Sequence, residues 1–257
     1  MSEITAITMP KWGLTMTEGK ILGWLKHEGD SFTEGEELLE IETTKITNVF
    51  EASEGGTLRR IVAAAGDAEM LAGSVIDALS ALGIDRAHLV GHSMGGAIAA
   101  TVARHYPERV ASLTLIATAG LGPEINGAFI DGFVRAQRRR DAQYVLALLV
   151  HDPALVSRAM VEDVLRYKRL DGVQTALETI ARAWFPDGRQ AVAIDLAALA
   201  MPVQLIWGRD DHIIPAAHAE ALAGRLPMHI LDAAGHLPHM EKAGEVNRLI
   251  ARFIAAS

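Results

Sequence analysis

The chain has 257 residues and a formal net charge of −8, and 50% of its residues are hydrophobic. This length allows one large domain or two small ones, and the acidic balance argues against a nucleic-acid partner. The sequence has no cysteine, which excludes disulfides, thiolate metal sites and a cysteine nucleophile. No apolar run reaches membrane-spanning length and the N-terminus lacks a leader pattern, so we expect a cytoplasmic protein without membrane or metal partners.

Residues 1–67 contain short apolar runs separated by turn-forming residues, as in KILGWLK, EGDSFTEGE and LLEIETTKITNVFEA. This pattern predicts a small all-β domain of antiparallel strands. Two β-favouring runs flank Thr43, Thr44 and Lys45, which predicts a tight turn that exposes the Lys45 ammonium to water. The apolar spacing becomes helical after AGD at 65–67.

The apolar period changes at residue 68, and residues 68–257 form the second predicted domain. A helical pattern at 68–82 is followed by a strand (AHLVGH), a helix rich in small residues and another strand (VASLTLIAT). Residues 121–195 carry only helical patterns, and strands return in PVQLIWG and MHILDAAG before a last helix, EVNRLIARFIAA. Strands alternating with helices predict an α/β fold with a parallel sheet, over which 121–195 forms a helical lid.

A candidate nucleophile lies between the first strand and helix of this domain. Residues 91–95 read G-H-S-M-G, the pattern of a sharp strand-to-helix turn that exposes a serine hydroxyl. Serine is a weak nucleophile, so a neutral imidazole must take its proton and a carboxylate must orient that imidazole. Downstream strands end in WGRDDHIIP and ILDAAGHLPHM. We predict Ser93 as nucleophile, Asp211 as the orienting acid and His236 as base.

Other residues near these strand ends could take the same parts. Asp210 precedes Asp211 in the acid loop, and His212 and His239 lie within three residues of the predicted acid and base. We interpret Asp210 as a turn residue and the two histidines as loop or surface residues. Asp211 and His236 are preferred because of their positions in the strand-end loops.

The motifs VGHSMGG, WGRDDHIIP and AGHLPHME resemble the elbow, acid loop and histidine loop of the α/β-hydrolase family. The resemblance implies that the backbone N–H of Met94 is one donor of an oxyanion hole. In that family a second donor follows an earlier strand, often at a His-Gly pair, and this sequence contains no His-Gly. The chain between the β-rich segment and Ser93 accommodates only one helix and one strand. We therefore expect a truncated hydrolase sheet without its N-terminal strands.

The segment from MPKWGLTMTEGK to EGGTLRRI resembles a lipoyl (biotinyl-lipoyl) domain. Such domains carry a modified lysine in a hairpin motif of the E-T-D-K type, which here reads Glu42-Thr43-Thr44-Lys45. The resemblance implies covalent lipoic acid on Lys45. It also implies two quasi-symmetric halves, and because the second half becomes helical after AGD at 65–67, we expect the domain to lack its closing strand. Biotin is the alternative cargo, but biotin sites flank the lysine with methionines, whereas Thr44 and Ile46 flank Lys45.

A lipoyl domain followed by an α/β-hydrolase resembles the acetyltransferase component of acetoin dehydrogenase complexes. MPKWGLTMTEGK and IETTKITNVFEA are similar to that family, whereas the H-x-x-x-D-G motif of other acyltransferase components does not occur. The resemblance implies an internally shortened acyltransferase whose lipoyl-lysine carries an acetyl group toward coenzyme A. It also implies three protein partners: a thiamine-diphosphate-dependent dehydrogenase component, dihydrolipoamide dehydrogenase and a lipoate ligase.

Two other functions are compatible with the motifs. The chain could be a lipoyl carrier without catalytic activity, or a plain serine esterase-like α/β-hydrolase with a β-rich leader. Lipoate on Lys45 would exclude the esterase, and ester turnover that depends on Ser93 would exclude the inactive carrier.

Overall fold

The computed structural model describes residues 20–27, 29–42, 47–58, 68–170 and 172–257. The chain forms two compact units, Met1–Ala65 and Gly66–Ser257. Lys45 and residues 59–67, where the closing strand was expected to be missing, lie outside the described residues. The predicted domain boundary after residue 67 therefore stays a prediction.

The described part of the N-terminal unit consists of short antiparallel strands, as predicted from its turn-rich sequence. They are β1 (Lys20–Trp24), β2 (Ser31–Phe32), β3 (Glu37–Glu42), β4 (Thr47–Glu51) and β5 (Gly56–Thr57). One sheet has the order β1-β3-β4, and β2 pairs with β5. Ile21, Leu38, Leu39 and Ile41 form the buried core with Ala52.

The β3–β4 pair is the part of this unit that bears on the predicted lysine site. Its antiparallel register ends with Glu42 opposite Thr47. These two residues lie immediately before and after residues 43–46. Residues 43–46 themselves lie outside the described residues, so the predicted setting of Lys45 stays a prediction.

The C-terminal unit begins with a helix and then alternates strands and helices. Its elements are α1 (Ala68–Ala81), β6 (Ala87–His92), α2 (Met94–His105), β7 (Val110–Ile116), α3 (Gly127–Arg135), α4 (Arg139–Ala147), α5 (Arg158–Lys168), α6 (Val173–Trp184), β8 (Val203–Gly208), α7 (Ala217–Glu220), β9 (Met228–Leu231), α8 (Pro238–Glu241) and α9 (Ala243–Ala256). No helix within the described ranges has the length and apolar character needed to cross a membrane.

The sheet of this unit has the order β6-β7-β8-β9, and every neighbouring pair is parallel. The two central strands are apolar and nearly continuously buried, as expected for a parallel sheet covered on both faces. The register pairs His92 with Ile116 and Ile116 with Ile206, so the carboxyl ends of β6, β7 and β8 lie side by side. The loops that follow these strands therefore emerge at one edge.

The chain between β7 and β8 contains helices α3 to α6, and no strand occurs in its described residues. This agrees with the helical lid predicted for 121–195. Part of the lid has its own apolar cluster, which includes Val145, Leu146, Val161 and Leu165. The fold is thus a small all-β domain followed by an α/β sheet with a helical lid.

The helix predicted from AAHAEALAGRL is shorter than the pattern suggested. Only Ala217–Glu220 is α-helical. The N–H groups of Leu222 and Ala223 donate to carbonyls three residues back, and Gly224 adopts φ +77°. Bonds of this type tighten the chain into 3₁₀ turns, and a left-handed glycine ends the segment.

The β6 edge of the sheet is exposed. Among the described residues β6 pairs only with β7, and its side chains alternate between exposed and partly buried positions. Val90 is 47% exposed, and Leu82 and Ile84 just before the strand are also exposed. Unpaired N–H and C=O groups beside apolar side chains can pair with another chain.

We predict that Val90→Lys weakens self-association of the protein, because a charge on an edge strand opposes pairing with a second strand. The concentration at which larger species appear in light scattering should rise about tenfold, equivalent to about 1.4 kcal/mol. Ala223→Lys, which adds the same charge in the turn before β9, is the control. Equal association of both variants and the unmodified protein would show that the β6 edge is not the contact.

Candidate active site

Ser93 occupies a strained turn between β6 and α2. Its backbone has φ 53° and ψ −122°, a conformation that costs a non-glycine residue about 1–3 kcal/mol. Two backbone hydrogen bonds stabilise the turn: the Ser93 N–H donates to the Ile116 carbonyl (2.9 Å), and the Ser93 carbonyl accepts from the Ala119 N–H (3.0 Å). The end of β7 therefore fixes the position of the serine.

Two glycines of the G-x-S-x-G-G sequence are required by close approach rather than by flexibility. A Cβ on Gly91 would collide with the Gly95 carbonyl, and a Cβ on Gly96 would collide with the Thr118 side chain. The strand and helix can therefore approach closely enough to make the sharp turn. Glycine is thus sterically required at Gly91 of the motif and at Gly96 just after it, whereas a Cβ on Gly95 would meet no other atom within 4 Å.

Ser93, His236 and Asp211 form one hydrogen-bonded chain. The Ser93 Oγ lies 2.9 Å from His236 Nε2, and His236 Nδ1 lies 2.8 Å from Asp211 Oδ2. Both distances are within the range expected for a nucleophile, its base and the group that orients the base. The structure therefore brings together the three residues singled out from the sequence.

Burial and backbone donors hold the acid in place. The side chains of Asp211 and His236 are 0% and 3% exposed. Asp211 Oδ1 accepts hydrogen bonds from the N–H groups of Ile213 (2.8 Å) and Ile214 (3.0 Å), which leaves Oδ2 for the imidazole. A carboxylate held in this way can fix the imidazole tautomer with Nδ1 protonated and Nε2 free to accept the serine proton.

The residues weighed as alternatives have other partners. Asp210 Oδ2 lies 2.8 Å from His151 Nδ1, in the lid segment that follows α4, and not beside His236. The His212 carbonyl accepts a hydrogen bond from the Asn126 side chain (3.0 Å). The His239 ring stacks at a tilt on His92, with 4.6 Å between centroids. Direct contact with Ser93 or Asp211 thus distinguishes His236 from its neighbours.

The backbone N–H of Met94 is positioned to bind developing negative charge. Met94 is the first residue of α2, and helix N-termini carry a partial positive charge. No hydrogen bond from its N–H to another described residue occurs in the structure. The N–H adjoins Ser93, so it can serve as one oxyanion donor.

His92 also contacts the site, a role that its place in the motif did not reveal. His92 Nε2 donates to the His236 carbonyl (2.7 Å), and the two rings lie 4.8 Å apart. Burial, with a smaller repulsion from His236, lowers the pKa of His92 from 6.5 to about 3. His92 is therefore neutral near pH 7 and does not compete with His236 for a proton.

A family model of the alpha/beta hydrolase fold matches residues 60–243, and one described as "Biotin-requiring enzyme" matches residues 5–79. The chain is similar in fold to a meta-cleavage product hydrolase from Pseudomonas fluorescens, with a TM-score of 0.66 and 23% identity over 78% of this chain and 76% of that one. A 2-hydroxymuconate semialdehyde hydrolase of Pseudomonas putida is 32% identical over 190 residues, or 70% of this chain and 66% of the relative. The chain therefore belongs to the class of proteins in which a lipoyl-type domain is joined to an α/β-hydrolase fold.

A relative from Cupriavidus necator that combines both halves is the dihydrolipoyllysine-residue acetyltransferase component of an acetoin cleaving system. It is 32% identical over an alignment of 364 positions, gaps included, which spans 98% of this chain and 97% of the relative. The chain belongs to this family of acetyltransferase components. The alignment has more than one hundred positions beyond the 257 residues of this chain, so the segment that the relative has in addition lies inside the matched span.

We predict that lowering the pH from 6.5 toward 3 destabilises the protein partly through His92. The unfolded chain binds a proton on this histidine in that window and the folded chain does not, so stability is present above pH 6.5 and is lost as pH falls. His92→Gln should reduce the slope of unfolding free energy against pH by up to one proton, or about 1.4 kcal/mol per pH unit. Denaturant unfolding followed by tryptophan fluorescence measures this slope.

The same titration supplies its own reference, because above about pH 7.5 the curves of His92→Gln and the unmodified protein should run parallel. Burial also lowers the pKa of His239. This histidine therefore contributes part of the slope of unfolding free energy against pH in both proteins. Identical slopes between pH 4 and 6 would contradict the proton-free state of His92.

Proposed function

We propose that this chain is an acyltransferase component of an acetoin dehydrogenase complex that passes an acetyl group from a lipoyl-lysine at Lys45 to coenzyme A. Its partners would be a thiamine-diphosphate-dependent dehydrogenase component, dihydrolipoamide dehydrogenase and a lipoate ligase. The observation that carries the catalytic part is the hydrogen-bonded chain of Ser93, His236 and Asp211. The acyl-carrying part rests on the lipoyl-type domain and on family membership.

The proposed catalytic residues act on an acyl thioester in two steps. In the first, Ser93 Oγ attacks the carbonyl carbon and gives its proton to His236 Nε2, the carbon–sulfur bond breaks, and His236 protonates the leaving thiol. In the second, His236 takes the proton of the acceptor thiol, whose sulfur attacks the acyl-serine, and Ser93 leaves with that proton. Asp211 stabilises the imidazolium in both steps, and the Met94 N–H stabilises the oxyanion.

The N-terminal unit would supply the attachment point for the acyl carrier. Lipoate bound there would supply a five-membered disulfide ring on a long flexible arm. Attack of the acyl carbanion of the dehydrogenase component would break the S–S bond and leave one sulfur acylated and the other as a thiol. The register that ends at Glu42 and Thr47 supports a hairpin connection carrying Lys45, where a ligase could reach the ammonium. Lys26 of the same unit pairs with Glu36 at 3.0 Å.

Hydrolysis is the second candidate function. The same three side chains would act on an ester if water replaced the acceptor thiol in the second step. The similarity of residues in the C-terminal unit to a semialdehyde hydrolase favours this alternative. The ratio of acyl transfer to hydrolysis, measured with coenzyme A and an acetyl thioester, discriminates between the two.

We predict that Lys45→Arg abolishes lipoylation, because arginine keeps the charge but has no amine that forms the amide. Incubation with a lipoate ligase, lipoate and ATP followed by peptide mass spectrometry should place a lipoyl group on Lys45 in the unmodified protein. The matched control is Lys26→Arg, which should be lipoylated to the same extent. Lipoylation that persists in Lys45→Arg would contradict the assignment.

We predict weak catalysis even with the three side chains in place. The second oxyanion donor of the family follows an earlier strand, and loss of one such donor lowers kcat about 10²- to 10³-fold, or about 3–4 kcal/mol. Ester and acetyl-thioester turnover should therefore rise at least this much when the hydrolase segment of a longer relative is inserted before α1. Ser93→Ala should remove the activity of both forms.

Equal turnover with and without the inserted segment would show that the oxyanion site is already complete. A lipoylated protein in which neither form has Ser93-dependent turnover would instead support the inactive carrier.

A further inference from the structure

Asp210 and Gly235, which directly precede Asp211 and His236, are both connected to His151 of the lid. Asp210 Oδ2 contacts His151 Nδ1 at 2.8 Å. Glu241 connects Gly235 to His151. Its Oε1 accepts a hydrogen bond from the Gly235 N–H and its Oε2 accepts one from the His151 N–H, both at 2.7 Å. A single carboxylate therefore bridges the loop that carries His236 and the segment that follows α4.

The two bridged segments also pack directly on each other. A Cβ on Gly235 would lie 2.9 Å from the His151 nitrogen and from the Leu149 carbonyl oxygen, so no larger residue fits there. The Leu237 N–H donates to the same Leu149 carbonyl at 3.2 Å. Backbone contacts thus occur on both sides of His236, and the Glu241 carboxylate completes them.

The Glu241 carboxylate serves these backbone donors rather than a cation. No lysine, arginine or histidine forms an ion pair with it among the described residues. Hydrogen bonds from N–H groups to an ionised acceptor are shorter and stronger than neutral ones. Removal of this acceptor would leave two backbone N–H groups without a partner at the base of the histidine loop.

We propose that Glu241 is a positioning residue that couples the lid to the catalytic histidine. With Glu241 in place, the Gly235 N–H is held on one side of His236, and the His236 carbonyl is held by His92 on the other. These two contacts keep the His236 imidazole in line with Ser93. A displacement of the lid at His151 therefore displaces the imidazole as well. This inference rests on the proposed function, in which Ser93 and His236 perform acyl transfer.

Two substitutions test this role. Glu241→Gln keeps the size of the side chain but provides one acceptor oxygen, so one of the two N–H groups would face an amide NH₂. Glu241→Ala removes both acceptors. The matched control is Glu245→Gln, which neutralises an exposed carboxylate in the first turn of α9.

The first readout is the rate at which a fluorophosphonate labels Ser93. We expect both Glu241 variants to react about 10- to 100-fold more slowly than the unmodified protein, since small displacements of a catalytic group have effects of this size. In ester turnover the loss should fall on kcat, with KM little changed. The Glu245→Gln variant should match the unmodified protein in both measurements.

The second readout is independent of activity: the proton NMR signal of the His236 Nδ1–H, which is bonded to Asp211. This signal should shift or broaden in Glu241→Gln and stay unchanged in Glu245→Gln. An unchanged signal in a folded Glu241→Gln protein overturns the proposal, as does an unchanged labelling rate. If the unmodified protein is not labelled at all, the proposed acyl transfer fails, while the NMR signal still decides whether Glu241 positions His236.

Discussion

The left-handed backbone at Ser93 is the constraint on which the candidate site depends. A serine at φ 53° is held there only because glycines at 91 and 96 let the strand and helix approach closely, and because the Ser93 N–H and C=O are bonded to the segment around β7. The strain of about 1–3 kcal/mol is thus offset by surrounding contacts. The same turn lifts the hydroxyl above the sheet and places the N–H of Met94 beside it.

The parallel register of the sheet supplies the other two side chains. Asp211 follows β8 and His236 follows β9, and the two strands pair up to Gly208 and Leu231 at their carboxyl ends. Loops leaving such ends meet at one edge, where ligands of open α/β sheets bind. Asp211 and His236 are 25 residues apart in sequence, and Ser93 and His236 are 143 apart. The order of the strands, rather than local structure, therefore brings them together.

Much of this arrangement could be predicted because it depends on short motifs and on the periodic spacing of apolar residues. The G-x-S-x-G pattern located Ser93, and the alternation of strands and helices indicated the parallel sheet. The sequence favoured Asp211 over Asp210 by its place in the acid loop, but the burial and contacts that separate the two appear only in the structure. The roles of His92 and Glu241 were also hidden, since both depend on backbone groups brought close by the fold. The short α7 escaped prediction because its pattern is helical up to Gly224.

The three candidate catalytic side chains lie in a unit whose sheet has an exposed β6 edge in the described residues. In the proposed function Ser93 accepts an acyl group. Peptide mass spectrometry of the protein, quenched in acid after brief incubation with p-nitrophenyl acetate, shows directly whether Ser93 does so. If it does, an acetyl increment appears on the peptide containing Ser93, is lost in Ser93→Ala and falls sharply in His236→Ala, because His236 takes the Ser93 proton during acylation. Absence of the increment from the Ser93 peptide of the folded protein, or its persistence at the same peptide in Ser93→Ala, would contradict it.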